Sequence, residues 1–246
     1  SSLSATYSKD HILADQQIPD GNSVHVGDIQ NRKWDILFNA YINKKFSRAH
    51  TNRTGITITG LNYDLDYKIS PNFGLNKPME QLSKGKGKSM VLSAFSSSVI
   101  DINRRITVSL GITSSYFALN NNWSLELRAA LKWKPAARHS FSLAYGLHSR
   151  RERLDYYFVE RNVEGQSASN KYLDFSYAHH AGLSYDWTVK PNLHVKIEPY
   201  YQYLYNIPVE DHTSFSLINL QDFYLDRVLT NNGSGKNYGV DVTLEQ

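Results

Sequence analysis

Two adjacent histidines, His179 and His180, are the residues of this sequence best suited by type to bind a metal ion. Imidazole is a frequent ligand of zinc, copper and nickel. Both lie in a segment that alternates polar and apolar residues as a β-strand does, and neighbouring strand residues point to opposite faces. One ion cannot be bound by both rings, so we predict no metal site and no cofactor. We expect His180 to face a polar interior and His179 to face an interface.

A second set of ionisable side chains recurs at alternate positions of successive segments. Its members are Glu126, Arg128, Lys132, His148, His180 and Glu198. Carboxylates and imidazoles on a shared face are the groups that acid–base catalysis uses. The same residue types also line the polar lumen of a membrane β-barrel. We favour the lumen and predict no catalytic residue among them.

A basic and aromatic stretch, residues 150–175, is the candidate substrate-binding segment. Its candidate residues are Arg150, Arg153, Tyr156, Tyr157 and Phe158, with Arg151 between them. Exposed guanidinium groups and aromatic rings on an outer loop capture substrates through charge and stacking. An aromatic belt at a membrane interface explains the three aromatic residues almost as well. Both interpretations stay open.

Two further patterns carry little chemistry. The run KGKGK at residues 84–88 lacks the spacing of a phosphate-binding loop, and we predict a solvated, flexible loop there. Asp155, Asp174 and His212 are the nearest candidates for a hydrolytic site at an outer rim, and their spacing matches no such site.

The elements that must position these residues are long β-strands. The clearest segments are residues 105–117 and 123–133. In the second, one face carries Trp123, Leu125, Leu127, Ala129, Leu131 and Trp133, and the other carries Ser124, Glu126, Arg128, Ala130 and Lys132. The two tryptophans lie about 33 Å apart along an extended strand, or nearer ~25 Å vertically at a tilt of ~40°. That distance matches the apolar band of an outer-membrane barrel.

The alternation recurs along the chain. Residues 139–148, 176–188, 193–205 and 237–245 show it clearly; residues 33–43, 54–69 and 89–101 show it less clearly. We expect a bulge or register irregularity in one of the less clear segments. Several segments exceed the average of about five to six residues for soluble strands. The sequence therefore predicts an all-β antiparallel meander of about ten long strands, part of a transmembrane β-barrel.

Connection lengths give an independent indication. Tight turns are predicted at residues 47–50, 102–104, 135–137 and 190–192. Longer connections are predicted at residues 9–30, 70–88, 118–122, 150–175 and 206–236. Short and longer connections alternate, which is typical of outer-membrane barrels, with short turns inside and long loops outside.

Composition narrows the function classes. The chain of 246 residues is 41% hydrophobic, has no cysteine, and contains 17 Tyr and 4 Trp. These values exclude a disordered chain and a disulfide framework. No apolar run reaches the ~18 residues of a spanning helix. The formal net charge of +4 is too small to indicate nucleic-acid binding.

Five strings of this sequence resemble the barrel of TonB-dependent receptors of the Bacteroidetes type. They are KFSRAHT (residues 45–51), SLELR (124–128), AYGLHS (144–149), EPYYQYLYNIPV (198–209) and NNGSGKNYGV (231–240). The resemblance implies a 22-stranded outer-membrane barrel closed by a plug, which takes up nutrients actively and is energised by TonB. Siderophores, cobalamin and glycans are the substrate classes it implies.

The resemblance also carries expectations about extent and partners. No plug, TonB-contacting segment or terminal aromatic residue is recognisable, so we expect residues 1–246 to be one domain, a partial barrel truncated at both ends. Expected partners are the TonB complex, the transported nutrient, a surface lipoprotein and outer-membrane lipid, without nucleic acid. We expect no enzymatic activity. Two alternatives stay open: a self-contained ten-strand barrel such as an omptin-like protease, and a soluble β-rich binding domain.

Overall fold

A computed structural model describes residues 1–18, 21–70, 77–163, 166–220 and 224–246. Ten strands form one antiparallel sheet: β1 (Ser2–Gln17), β2 (Ser23–Lys45), β3 (His50–Ile69), β4 (Glu80–Asn103), β5 (Ile106–Phe117), β6 (Asn122–Ala136), β7 (His139–Arg150), β10 (Ser176–Lys190), β11 (Leu193–Val209) and β12 (Thr230–Glu245). Between β7 and β10 lies a small hairpin of β8 (Glu160–Val163) and β9 (Gln166–Ser169). Short 3₁₀ turns cover Leu154–Phe158, Asn170–Tyr172 and Leu217–Asn219.

The large sheet is a simple meander. Each strand pairs with its neighbours in the order β1-β2-β3-β4-β5-β6-β7-β10-β11-β12, so β1 and β12 form its two edges. This confirms the predicted antiparallel meander of about ten long strands. In the described part of the chain no helix is long and apolar enough to cross a membrane.

Connections differ at the two ends of the sheet. The links from β2 to β3, β4 to β5, β6 to β7 and β10 to β11 are short, and lie at what we call the turn end. The longest links lie at the opposite, loop end, which confirms the predicted alternation. Residues 19–20, 71–76, 164–165 and 221–223 of the predicted connections lie outside the described residues.

Two predicted connections are wrong in part. Most of residues 9–30 belongs to β1 and β2, and residues 80–88 belong to β4. The stretch 84–88 is therefore a strand and not a flexible loop. At the loop end these strands carry polar residues on the face that is apolar elsewhere in the sheet. The alternation of polar and apolar residues by which a strand is recognised is therefore missing there.

We call the face of the sheet that carries Trp123 and Trp133 the outer face, and the opposite face the inner face. The outer face carries the expected aromatic rims. Trp123 and Trp133 are 63% and 46% exposed. Near the loop end Trp123 packs against Tyr116, with ring centroids 4.6 Å apart. Near the turn end Trp133 packs against Phe141, with ring centroids 5.6 Å apart. Exposed Leu125, Leu127 and Leu131 lie between the two tryptophans, so the outer surface of β6 is an apolar band with an aromatic residue at each rim.

Strand β3 changes the face that carries its apolar side chains. Near the turn end, Ile56 and Ile58 share the outer face with Phe38 and Leu92. From Leu61 onward the apolar residues occupy the opposite, inner face. They are Leu61, Tyr63, Leu65, Tyr67 and Ile69. The change explains why the alternation of residues 54–69 is unclear. The expected irregularity also occurs, since the β3–β4 register shifts between Tyr67 and Lys68.

The hydrophobic core lies on the inner face at the loop end. Two clusters of buried residues form it: Leu61, Phe117, Leu154, Tyr156, Tyr157, Val159, Leu173, Phe175, Leu217, Leu225 and Leu229, and a smaller one of Ile29, Leu65, Tyr67, Ile69 and Leu82. The loops between β7 and β10 and between β11 and β12 supply most of the first cluster. They fold over the strands, so the inner face is apolar here and polar further toward the turn end.

Candidate functional site

The loop after β7 is anchored by Tyr157, whose side chain is 1% exposed. Its ring packs edge-on against Phe117 of β5 at a centroid distance of 5.3 Å. Its hydroxyl accepts a hydrogen bond from the backbone N–H of Glu152 at 3.1 Å. Burial raises the pKa of Tyr157 to about 12, because the apolar surroundings disfavour the phenolate. This ring holds the first turn of the loop against the sheet.

The expected exposure of the loop aromatics is therefore wrong. Tyr156 and Tyr157 are buried, and Phe158 is partly buried against the core. The Phe158 ring packs on Tyr63 at 4.9 Å. The rings of Tyr156 and Tyr157 are buried in the core and do not face a membrane interface. The interpretation as an interfacial aromatic belt therefore also fails for these two residues.

Two buried carboxylates organise the arginines of the loop. Asp155, 1% exposed, accepts two hydrogen bonds from the Arg153 guanidinium, at 3.2 and 2.9 Å. Glu152 accepts from the Ser176 hydroxyl at 2.6 Å and from Arg150 at 3.3 Å. A buried carboxylate needs such partners, since an unpaired charge away from water is costly. The carboxylates thus hold Arg150 and Arg153 in place at the surface.

The two long loops interlock through Asn170, which is fully buried. Its side-chain N–H₂ donates to the Arg227 carbonyl at 2.9 Å, and its side-chain oxygen accepts from the Leu229 N–H at 2.8 Å. Arg161 donates to the Asp226 carbonyl at 3.1 Å. Arg227 in turn pairs with Glu210 at 2.6 Å, and this pairing raises the pKa of the Arg227 guanidinium. The loop after β11 therefore braces the loop after β7.

A pocket of about 450 Å³ lies between these two loops. Its lining is Arg150, Arg151, Glu152, Arg153, Tyr156, Leu217 and Leu220. The side chains of Arg150 and Arg153 are 68% and 49% exposed, so parts of both guanidinium groups face water. We call this the arginine pocket. It combines cationic donors with an apolar wall, an arrangement suited to a ligand that bears negative charge.

The five candidate binding residues thus separate in space. Arg150 and Arg153 line the arginine pocket, Tyr157 and Phe158 pack in the core, and Tyr156 belongs to the core cluster and also lines the pocket. Leu217 and Leu220 were missed by sequence reasoning. They belong to a distant connection without periodicity, and no local signal places them beside the arginines.

The six ionisable residues predicted to face a lumen share the inner face by strand register. The Glu126 carboxylate accepts from Arg128 at 2.6 Å and from the Ser149 N–H and hydroxyl at 3.2 and 2.7 Å. Regular pairing of β6 with β7 begins only at Arg128 and Gly146. Glu126 therefore joins β6 to Ser149 of β7 at a level where the two strands make no regular backbone pairing. This is a structural role.

The remaining members form two groups along the inner wall. The His148 and His180 rings meet edge to face at 4.8 Å, and His180 contacts the Gln202 amide at 3.2 Å. Both histidines line a groove of about 870 Å³. Lys132 and Glu198 line a separate cavity of about 670 Å³ nearer the turn end. The structure does not gather the six into one constellation.

His179 and His180 lie on opposite faces, as strand geometry predicts. His179 packs on the outer face, where its Nδ1 lies 2.8 Å from the Tyr145 hydroxyl and its ring stacks on Tyr205 at 5.2 Å. Among the described residues, no three histidines or carboxylates come together as a metal site would require.

The hydrolytic candidates are engaged in other contacts. Asp155 pairs with Arg153, and the Asp174 carboxylate accepts from the Phe175 N–H at 2.7 Å and from Asn206 at 3.4 Å. Within the described part of the chain, no hydrogen bond or ion pair joins His212 to either aspartate. The hydrogen-bonded carboxylate and imidazole that such chemistry uses are not formed here.

The solved structures to which this chain is similar in fold include receptors and an importer. A variant of the ferric enterobactin receptor PfeA from Pseudomonas aeruginosa matches 98% of this chain and 38% of its own, with 11% identity and a TM-score of 0.67. The hemophore receptor HasR from Serratia marcescens, solved with its hemophore HasA and heme, matches 98% and 43%, with 11% identity and a TM-score of 0.61. The RagAB peptide importer matches 89% and 28%, with 14% identity and a TM-score of 0.58.

The chain has the barrel fold of TonB-dependent receptors. The ten-strand antiparallel meander expected as part of such a barrel is confirmed. The chain spans less than half the length of each of these three proteins. No family model and no curated protein sequence matches it.

Proposed function

We propose that this chain is a segment of the wall and outer loops of a TonB-dependent transporter in a bacterial outer membrane. The observation that carries the proposal is the pairing of an apolar, aromatic-rimmed outer face with a polar inner face on one meander. In a soluble β-sandwich the apolar face of each sheet packs on a core. A continuous apolar band that is exposed on one face is not expected there. The open edges β1 and β12 would pair with further strands of the barrel.

The arginine pocket is the proposed substrate contact. Arg150, Arg151 and Arg153 would bind a negatively charged group, and Leu217 and Leu220 would contact an apolar part of the same nutrient. Ferric enterobactin, heme and peptide are named for proteins of this fold. Siderophore, cobalamin and glycan classes remain the substrates that the proposal covers, and the pocket favours the members that carry negative charge.

Partners and chemistry follow from the same proposal. Energy would come from the TonB complex through a plug, and a surface lipoprotein would assist capture of the nutrient. The inner wall would contact the plug through polar groups such as Glu198 and Lys132. The residues of the arginine pocket would bind and release the nutrient without making or breaking a bond in it. The chain would therefore act as a conduit and not as an enzyme.

Uptake by whole cells tests the proposal. Cells that produce or lack the protein are given radiolabelled ferric siderophores, cobalamin or oligosaccharides, with and without a functional TonB. One nutrient class should enter only when both proteins are present. The proposal is wrong if uptake of every class is independent of the protein, or if it persists without TonB.

A pair of variants tests the pocket. Arg150→Gln removes an exposed guanidinium from the pocket, and Arg138→Gln removes one at the turn end as the matched control. Loss of one charge-assisted contact, worth about 1.5–3 kcal/mol, should weaken binding of a charged nutrient roughly 10- to 150-fold. Arg138→Gln should leave it unchanged. Equal binding by the two variants would contradict the role of the pocket.

A further inference from the structure

The run KGKGK occupies the loop end of β4 with its glycines inside and its lysines outside. A Cβ on Gly85 would lie 2.5 Å from the Phe158 ring, and a Cβ on Gly87 would lie 3.1 Å from the Tyr63 hydroxyl. The glycines are therefore accounted for by close packing of the core. Packing does not account for Lys84, Lys86 and Lys88, which are all exposed on the outer face.

Neighbouring strands continue this positive surface. Lys86 lies level with Asp64 of β3, which pairs with Arg32 of β2, and Arg32 pairs with Lys9 of β1. The three cross-strand rows that contain Lys84, Lys86 and Lys88 hold five cations and two carboxylates. The cations, which we call the basic strip, are Lys9, Arg32, Lys84, Lys86 and Lys88. The carboxylates are Asp64, which contacts Lys86 at 3.0 Å, and Asp66, which contacts Lys68 at 3.7 Å.

The strip begins where the apolar outer band ends. The row of Lys88 also holds Trp34 and Tyr7, whose rings pack at 5.0 Å. The next row toward the turn end carries exposed Met90 and Ile36. Successive rows on one face are about 7 Å apart. The cations therefore lie within one or two rows of the aromatic rim, at the depth of lipid headgroups.

We propose that the basic strip binds the phosphate-bearing headgroups of the membrane leaflet at the loop end. Five cations against two carboxylates leave an excess of positive charge. A lipid phosphate just above an aromatic rim supplies the complementary charge at that depth. The inference rests on the outer-membrane placement proposed above, and goes beyond it by assigning a lipid contact to named residues.

Binding to defined micelles tests the strip. The protein at its natural length is purified in detergent and mixed with micelles that contain diphosphorylated lipid A, or the same glycolipid after removal of its phosphates. The triple variant Lys84→Gln, Lys86→Gln, Lys88→Gln is compared with Lys45→Gln, Lys134→Gln, Lys190→Gln. The second set removes the same charge from exposed lysines near the turn end.

The strip variant should bind phosphorylated lipid A roughly 100-fold more weakly, since about fivefold for each of the three lysines multiplies to about 125-fold. The turn-end variant should bind it as the unchanged protein does, and the dephosphorylated lipid should bind equally weakly to all three. Replacing the three strip lysines by arginine should preserve binding. High salt should weaken it, since the screening length falls to about 3 Å at 1 M.

Three results would overturn the inference. The strip variant could bind phosphorylated lipid A unchanged, or removing the phosphates could have no effect. Inorganic phosphate alone could bind the strip as tightly as the micelles do, which would make it a site for free anions. Failure of the protein to fractionate with outer membranes would refute the proposed function itself, which separates the two failures.

Discussion

Asn170 offers the sharpest test of how the loops are held. Its amide group joins the loop after β7 to residues 227 and 229 of the loop after β11, and it is fully buried. Asn170→Ala removes both bonds and leaves the Leu229 N–H and the Arg227 carbonyl without these partners.

The magnitude follows from these two groups. An unsatisfied buried donor or acceptor costs about 1–3 kcal/mol, so the pair lowers the free energy of local opening by about 2–6 kcal/mol. Since about 1.4 kcal/mol is a factor of ten, amide exchange in residues 224–229 should accelerate by at least about 30-fold. The β5 and β6 strands, which the loops only cover, should exchange at unchanged rates.

Hydrogen exchange followed by mass spectrometry measures this effect peptide by peptide. Asn43→Ala, at an exposed asparagine of β2 near the turn end, is the matched control and should change nothing in residues 224–229. Unchanged exchange in the Asn170→Ala variant would refute the interlocking of the two loops. Acceleration across every strand would show global destabilisation instead, and would also contradict the reasoning.

Two further predictions concern the packing of the same loops. Gly85→Ala places a Cβ 2.5 Å from the Phe158 ring and should speed proteolysis within residues 150–175. Gly60→Ala, whose nearest neighbour lies at 3.8 Å, should not, and equal cleavage would contradict the packing. Tyr157, with a pKa of about 12 against about 10 for an unfolded tyrosine, stabilises the loop fully below pH 10, and this contribution falls as the pH rises to 12. Tyr157→Phe should remove that dependence of loop exchange, and an identical pH profile in the variant would disprove it.

The strands of the membrane-facing region could be predicted because their chemistry is local. Between Trp123 and Trp133 every second side chain meets the same environment, so alternation records the face directly. Segments 105–117, 123–133 and 139–148 agree with β5, β6 and β7 within about two or three residues at each end.

The loop end could not be predicted because tertiary packing decides it. In β3 the inner face is polar at Thr57 and apolar from Leu61 onward, because two distant loops cover it. The aromatic residues Tyr156 and Tyr157 have the composition of an exposed binding loop, but both are buried in the core, Tyr157 against Phe117 of β5. The glycines of residues 84–88 suggested flexibility, whereas their role is to admit the Phe158 and Tyr63 side chains.

The arginines of the arginine pocket could be predicted from the sequence, whereas their orientation and the leucine residues of the pocket could not. Arg150 and Arg153 were recognisable from their type and from the length of the connection that carries them. Their orientation depends on Glu152 and Asp155, whose burial no sequence pattern indicated. Leu217 and Leu220 come from the loop after β11, which hydrogen bonds of Asn170 and Arg161 hold against the loop after β7.

The most direct test of the central claim is the orientation of the sheet across a membrane. These 246 residues contain no cysteine, so single cysteines are introduced by Lys171→Cys at the loop end and Asn192→Cys at the turn end, and the unsubstituted protein labelled in the same way gives the background. A membrane-impermeant maleimide added to intact cells should label Lys171→Cys at once and Asn192→Cys only after the outer membrane is permeabilised. Equal labelling of both positions in intact cells, or recovery of the protein without membranes, would contradict the account.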